Sequence, residues 1–131
     1  MKLKWADRCL LVSPVYFTVC TNERDFITEL KRLKLKPKDI PQFIKSPIHA
    51  TTHYVEYQGR KAAIVCLTPT KETGIEIAAL LCHEAMHIWR FIKDDLGEHD
   101  PSAEMEAYAM QHIVQELMTL FWAQWRKHGP K

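Results

Sequence analysis

Residues 73–95 read TGIEIAALLCHEAMHIWRFIKDD. Thr73 and Glu76 match the capping box, in which the threonine hydroxyl and the glutamate carboxylate satisfy unpaired N–H groups at a helix N-terminus. Apolar residues then recur at helical spacing, and Gly97 stands where a left-handed residue ends a helix. The stretch predicts a long helix from about residue 75 to residue 94 or 95.

The middle of this helix carries His83-Glu84-Ala85-Met86-His87, the H-E-x-x-H pattern. Because a helix turns by about 100° per residue, His83 and His87 lie one turn apart on nearly the same face and can meet one metal. Glu84 lies beside them, where it can accept a proton from a zinc-activated water. The pattern predicts a zinc site with Glu84 as general base.

The apolar stripe of the same helix indicates which way the histidines point. Its centre lies on the side opposite His83 and His87, and it consists of Ile77, Ala78, Leu81, Ala85, Ile88 and Ile92. We therefore expect the back of the helix to pack on a sheet while the two histidines line a cleft.

The rest of the chain predicts a small α+β fold in one domain over residues 1–131. A strand over 15–20 precedes a helix over 23–33 capped at Thr21-Asn22, and two strands over 51–58 and 61–67 flank a Gly59-Arg60 turn. Asp100-Pro101 predicts the cap of a last helix, which continues from Ala103 through Trp125. We expect a short mixed or antiparallel sheet, an active-site helix and a C-terminal helix that carries a metal ligand.

Composition bounds the class of protein. The 131 residues are 47% hydrophobic and 26% charged, and the apolar stretch from Cys9 to Cys20 is too short to cross a bilayer. We expect no membrane partner and a cytoplasmic location. No Cys-x-x-Cys pair occurs, so the four cysteines are expected to be reduced, mostly buried thiols.

Charge is divided unevenly along the chain. Residues 1–65 carry 12 Lys and Arg against 6 Asp and Glu, whereas residues 66–131 carry 6 against 10. The densest basic run comprises Lys31, Arg32, Lys34, Lys36 and Lys38. No aromatic residue interleaves this run, so it predicts a solvated helix end, and nucleic acid is not the expected partner.

A catalytic zinc takes three protein ligands and keeps one open position. The metzincin continuation fails, because Arg90 stands where its glycine should be and Lys93 where its third histidine should be. The remaining candidates for the third ligand lie in the last part of the chain: Glu104, Glu106, His99, Asp100 and His112. The apolar stripe of the last helix favours Glu106, since that residue lies nearer the stripe than Glu104 does.

The run Glu104-Met-Glu-Ala-Tyr-Ala-Met-Gln111 after H-E-x-x-H resembles the glutamate helix of gluzincin-type zinc peptidases. The whole layout is similar to that of small phage- or prophage-encoded zinc peptidases, with Ala50-Thr-Thr-His53 before the hairpin. The resemblance implies a zincin-like fold, zinc bound by His83, His87 and Glu104, and a bacterial host cytoplasm. Tyr108 stands where those families have the aspartate that orients a ligand histidine.

The preferred hypothesis is a zinc-dependent peptidase that acts on protein or peptide substrates. The alternative is a non-catalytic, zinc-stabilised module that binds protein or nucleic acid. Two further residues are expected to be structural: His53 on the first hairpin strand, and Cys82, which the helix turns about 100° from the ligand face.

Overall fold

The computed structural model describes residues 2–6, 13–44, 50–68 and 74–128, with the side chains of 127 and 128 excluded. The elements follow the chain as β1 (Val15–Cys20), α1 (Glu23–Arg32), a single 3₁₀ turn (Pro37–Asp39), β2 (Ala50–Tyr57), β3 (Arg60–Leu67), α2 (Gly74–Leu96) and α3 (Ala103–His128). The predicted order of strand, helix, hairpin, helix and helix is confirmed, and the fold is α+β.

The sheet has three described strands in the order β1-β3-β2. β2 and β3 form an antiparallel hairpin, while β1 pairs with β3 in parallel. The parallel pair is possible because the chain passes through α1 and a long connection before it returns to the sheet. The sheet is therefore mixed, with β3 in the centre, where residues 62–67 are buried.

The two faces of the sheet carry separate apolar clusters. One face packs against α2 and α3 around Leu81, Ile88 and Phe121. The other face packs against α1 and residues 2–6 around Phe26 and Leu30. Because side chains alternate along a strand, each β3 residue belongs to one face only.

Two local predictions differ from the structure by one or two residues. The hairpin turns at Gln58 and Gly59, both at positive φ (51° and 75°), instead of at Gly59-Arg60. Two residues at positive φ give the turn a twist that matches the twist of the strands. The turn therefore lies one residue earlier in the chain than predicted. Helix α3 begins after Ser102, whose hydroxyl accepts the N–H of Met105 at 3.2 Å, instead of after Asp100-Pro101.

The start of α1 and the end of α2 follow the predicted signals. Asn22 caps α1 by accepting the N–H of Asp25 at 2.8 Å. α2 ends at Leu96, and Gly97 adopts a φ of 74° directly afterwards. α3 continues to His128, beyond the predicted end at Trp125. The predicted capping residue Thr73 lies outside the described residues.

α2 and α3 pack against each other in antiparallel fashion. At one end, the indole N–H of Trp89 donates to Glu106 Oε2 at 2.8 Å. At the other end, a Cβ built on Gly74 would lie 3.6 Å from the ring of Trp122. No described helix is both long enough and apolar enough to cross a membrane.

Candidate metal centre

The two histidines of the motif lie together on the exposed side of α2. The rings of His83 and His87 have centroids 5.0 Å apart, and their Nε2 atoms are 3.2 Å apart. The buried side of the helix is formed by Ile77, Leu81, Ala85, Ile88, Trp89 and Ile92, together with Glu84. The predicted outward orientation of the histidines is confirmed.

The distance between the two nitrogens suits a tetrahedral metal. Two nitrogens that are each 2.0–2.1 Å from zinc and subtend a tetrahedral angle lie about 3.3–3.4 Å apart. The observed 3.2 Å falls within the tolerance of about 0.2 Å that is expected of a metal site. The separation is that of two hydrogen-bonded ring nitrogens, and it is also compatible with two ligands of one tetrahedral metal ion.

Glu84 completes a group of three potential ligands. Ligand atoms of His83, Glu84 and His87 all lie within 4.8 Å of one another. Within the described ranges 2–6, 13–44, 50–68 and 74–128, this is the group in which three such side chains converge. The carboxylate is thus close enough to act on a water held at the histidines.

The Glu84 carboxylate is held at the boundary between the helix and the sheet. The residue is only 4% exposed, although its histidine neighbours are exposed. Its Oε2 accepts a hydrogen bond from the hydroxyl of Thr52 on β2. A buried carboxylate needs such a donor because an unpaired one would pay the full cost of desolvation.

Tyr54 stands two residues further along β2, on the same face of the sheet as Thr52. Its ring stacks on Phe91 of α2 with centroids 4.4 Å apart, and the residue is 44% exposed. Partial burial raises the pKa of Tyr54, and the negative charge of Glu84 raises it further. The phenol therefore remains a neutral hydrogen-bond donor near the carboxylate at neutral pH.

The structure does not bring Glu104 to the histidines. Glu104 is exposed in the first turn of α3, and it is not part of the three-residue group. The two contacts that align α2 with α3 place Glu104 opposite the turn of α2 that follows His87. This turn lies roughly 7 Å from His87 along the helix axis. In addition, α3 packs on the Trp89 side of α2, away from the histidine face.

Glu106 has a different partner. Its carboxylate accepts the indole N–H of Trp89, which is 2% exposed, so it serves the interface between the two helices. His99 and Asp100 are exposed in the connection between the helices, and Tyr108 is 57% exposed on α3. None of these described residues joins the histidine group, and neither does His112.

The two residues expected to be structural occupy different environments. His53 is buried, its Nε2 lies 2.9 Å from the carbonyl oxygen of Phe43, and its ring packs on Phe26 on the α1 face of the sheet. It therefore belongs to the core, as predicted. Cys82 is an exposed free thiol, so the expectation that it packs in the core is wrong, while its position outside the metal group agrees with the prediction.

Sequence reasoning missed two site residues, Thr52 and Tyr54. Each is an ordinary β-strand residue, and nothing in its local sequence indicates that it lies against α2.

No family model, curated protein or solved structure matches this chain.

Proposed function

We propose that this protein is a zinc-dependent peptidase with its metal on His83 and His87. The observation that carries the proposal is the 3.2 Å separation of the two Nε2 atoms, with a carboxylate of the same helix turn inside the same 4.8 Å group. A structural zinc site has no use for a carboxylate beside an open position. The H-E-x-x-H spacing and this geometry support the same chemistry.

In this mechanism the residues of the chain move one proton. Glu84 accepts a proton from the water that attacks the peptide carbonyl, and it later passes that proton to the amide nitrogen as the C–N bond breaks. When bound, zinc would polarise the carbonyl and lower the pKa of the water. Thr52 positions the Glu84 carboxylate through its hydroxyl.

β2 offers a place for the substrate. Among the described strands it lies at one edge of the sheet, and two of its residues, Thr52 and Tyr54, contact α2 beside the motif. An extended peptide can pair with such an edge through main-chain hydrogen bonds. We propose that the scissile bond lies over the histidines when a peptide pairs with β2.

We retain Glu104 as the proposed third ligand on the strength of the gluzincin resemblance. In this arrangement the first turn of α3 approaches the histidines when the metal binds. If it does not, Glu84 is the carboxylate already in reach, and the site is then a metal centre without a free base. Zinc retention by Glu84→Gln and by Glu104→Gln distinguishes these two arrangements.

Metal analysis tests the site. The purified protein should bind about one zinc per chain, and His83→Ala and His87→Ala should each abolish binding. Arg90→Ala is the matched control, since it truncates an exposed side chain of the same helix that is not a candidate ligand. Full zinc retention in the double variant His83→Ala and His87→Ala would refute the site.

Hydrolysis tests the mechanism. Glu84→Gln should retain zinc and lower the rate of cleavage of unfolded casein by roughly 10²–10⁴-fold. Glu76→Gln is the control, because it neutralises an exposed carboxylate two turns earlier on the same helix. Equal cleavage by wild type and Glu84→Gln would refute the assigned base, and zinc binding without any cleavage by wild type would favour the non-catalytic alternative.

A further inference from the structure

A second site-like feature lies on the other face of the sheet, away from the histidines. A cavity of about 350 Å³ opens beside the end of α1, between residues 2–6 and the hairpin. The residues that line it include three aromatic residues and two arginines: Trp5, Tyr16, Tyr57, Arg32 and Arg60. This volume is at the lower end of the range that small-ligand sites occupy.

A buried carboxylate fixes part of that wall. Glu29 is 3% exposed, and its Oε1 accepts the indole N–H of Trp5 at 3.0 Å and the Nε–H of Arg32 at 3.0 Å. Arg32 also donates from Nη2 to the same oxygen, so Glu29 and Arg32 form an ion pair along one edge of the guanidinium. The ring and the guanidinium are therefore held side by side by one acceptor. Because these two side chains are already ordered, less conformational entropy is lost when a ligand binds against them.

The charge of this region extends beyond the cavity. Arg60 is exposed at the start of β3, and three further lysines are exposed next to the cavity-lining residues of α1 in the sequence: Lys31, Lys34 and Lys36. In the sequence the basic run lacks interleaved aromatic residues. The fold supplies them from three distant segments, since Trp5, Tyr16 and Tyr57 line the same cavity as Arg32.

We propose that this cavity binds a nucleotide unit, with its base among the three aromatic residues and its phosphate against Arg60 and the Nη1 group of Arg32, which Glu29 does not engage. Aromatic rings stack on any base, and a guanidinium fork matches a phosphate. The flanking lysines can meet neighbouring phosphates when the unit belongs to a single strand. This binding does not depend on the metal site, which is on the opposite face of the sheet.

Two probes distinguish a free nucleotide from a strand. The first is a fluorescein-labelled twelve-residue oligothymidylate, followed by fluorescence anisotropy at 50 mM salt, and the second is thymidine monophosphate as a competitor. Competition by the monophosphate would indicate that the cavity takes free nucleotides, and binding of the oligonucleotide alone would indicate a single strand. Binding of neither probe would overturn the proposal.

Charge variants test the phosphate contact. Arg60→Gln should weaken oligonucleotide binding about tenfold, as expected for the loss of a charged hydrogen bond. Lys38→Gln is the matched control, because it removes an exposed positive charge of the same basic run that does not line the cavity. Equal losses in the two variants would overturn the proposal, since they would indicate a diffuse electrostatic attraction.

Ring variants test the stacking. Tyr57→Leu should weaken binding about fivefold or more at unchanged net charge, and Tyr57→Phe should restore it because the ring is kept. Circular dichroism and urea unfolding of each variant check that the hairpin is intact. Binding by Tyr57→Leu that equals binding by Tyr57→Phe would also overturn the proposal.

Discussion

Thr52→Val tests whether the contact between β2 and α2 holds the Glu84 carboxylate. Valine has nearly the shape of threonine and suits a strand, so the substitution removes the hydroxyl with little other change. It leaves a carboxylate that is 4% exposed without the donor it has in the wild type. Hydrogen bonds to charged groups contribute about 1.5–3 kcal/mol, and the added methyl group recovers up to about 0.8 kcal/mol.

The expected net loss in the free energy of unfolding is about 1–2 kcal/mol. For a urea m-value of about 2 kcal/mol/M, this loss lowers the midpoint of unfolding by about 0.5–1 M. The measurement is equilibrium urea unfolding, followed by circular dichroism on metal-free protein. Zinc binding by Thr52→Val should be unchanged, because the lost hydroxyl contacts Glu84 and not the two histidines that bind the metal.

Thr28→Val is the matched control. Thr28 is an exposed residue of α1 whose hydroxyl donates to the carbonyl of Arg24 at 2.8 Å, so its loss removes a hydrogen bond that water can replace. A double variant with Glu84→Gln should show coupling, since a neutral amide needs the donor less than a carboxylate does. The reasoning is refuted if Thr52→Val lowers stability by no more than Thr28→Val does.

Three further predictions concern the third ligand and the thiols. Glu104→Gln should lower zinc retention after dialysis against a chelator. Glu106→Gln should retain zinc but lose about 0.5–1.5 kcal/mol of unfolding free energy, because its hydrogen bond to the indole of Trp89 is weakened. The reverse ranking of zinc retention would identify Glu106 as the ligand. Iodoacetamide should modify the exposed Cys82 in folded protein and spare the buried Cys20, as peptide mass spectrometry would reveal, and equal labelling of both would contradict the packing. Burial raises the pKa of Cys20 from 9.0 to about 12, so the folded state holds this proton more tightly than the unfolded state does. Stability is therefore expected to fall between about pH 9 and pH 12, and Cys20→Ala should flatten that decline in urea midpoints.

The sequence alone predicted what depends on neighbours along the chain. Helical periodicity placed His83 and His87 on one exposed face, because residues four apart always lie one turn from each other. The β-branched run of β1 and the cap at Asn22 gave those elements nearly the bounds that the structure has. Strand alternation did not reveal that β1 would pair in parallel with β3, since pairing depends on the path of the whole chain.

The tertiary structure decided the contacts between distant segments. Thr52 and Glu84 are 32 residues apart, so no local pattern relates the hydroxyl to the carboxylate that it holds. The partner of Glu106 is likewise set by how α3 packs on α2, and this packing separates Glu104 from the histidines. Local sequence fixes the direction of a side chain around its own helix, whereas the neighbour it meets depends on the packing of every other element, and only the folded chain contains that information.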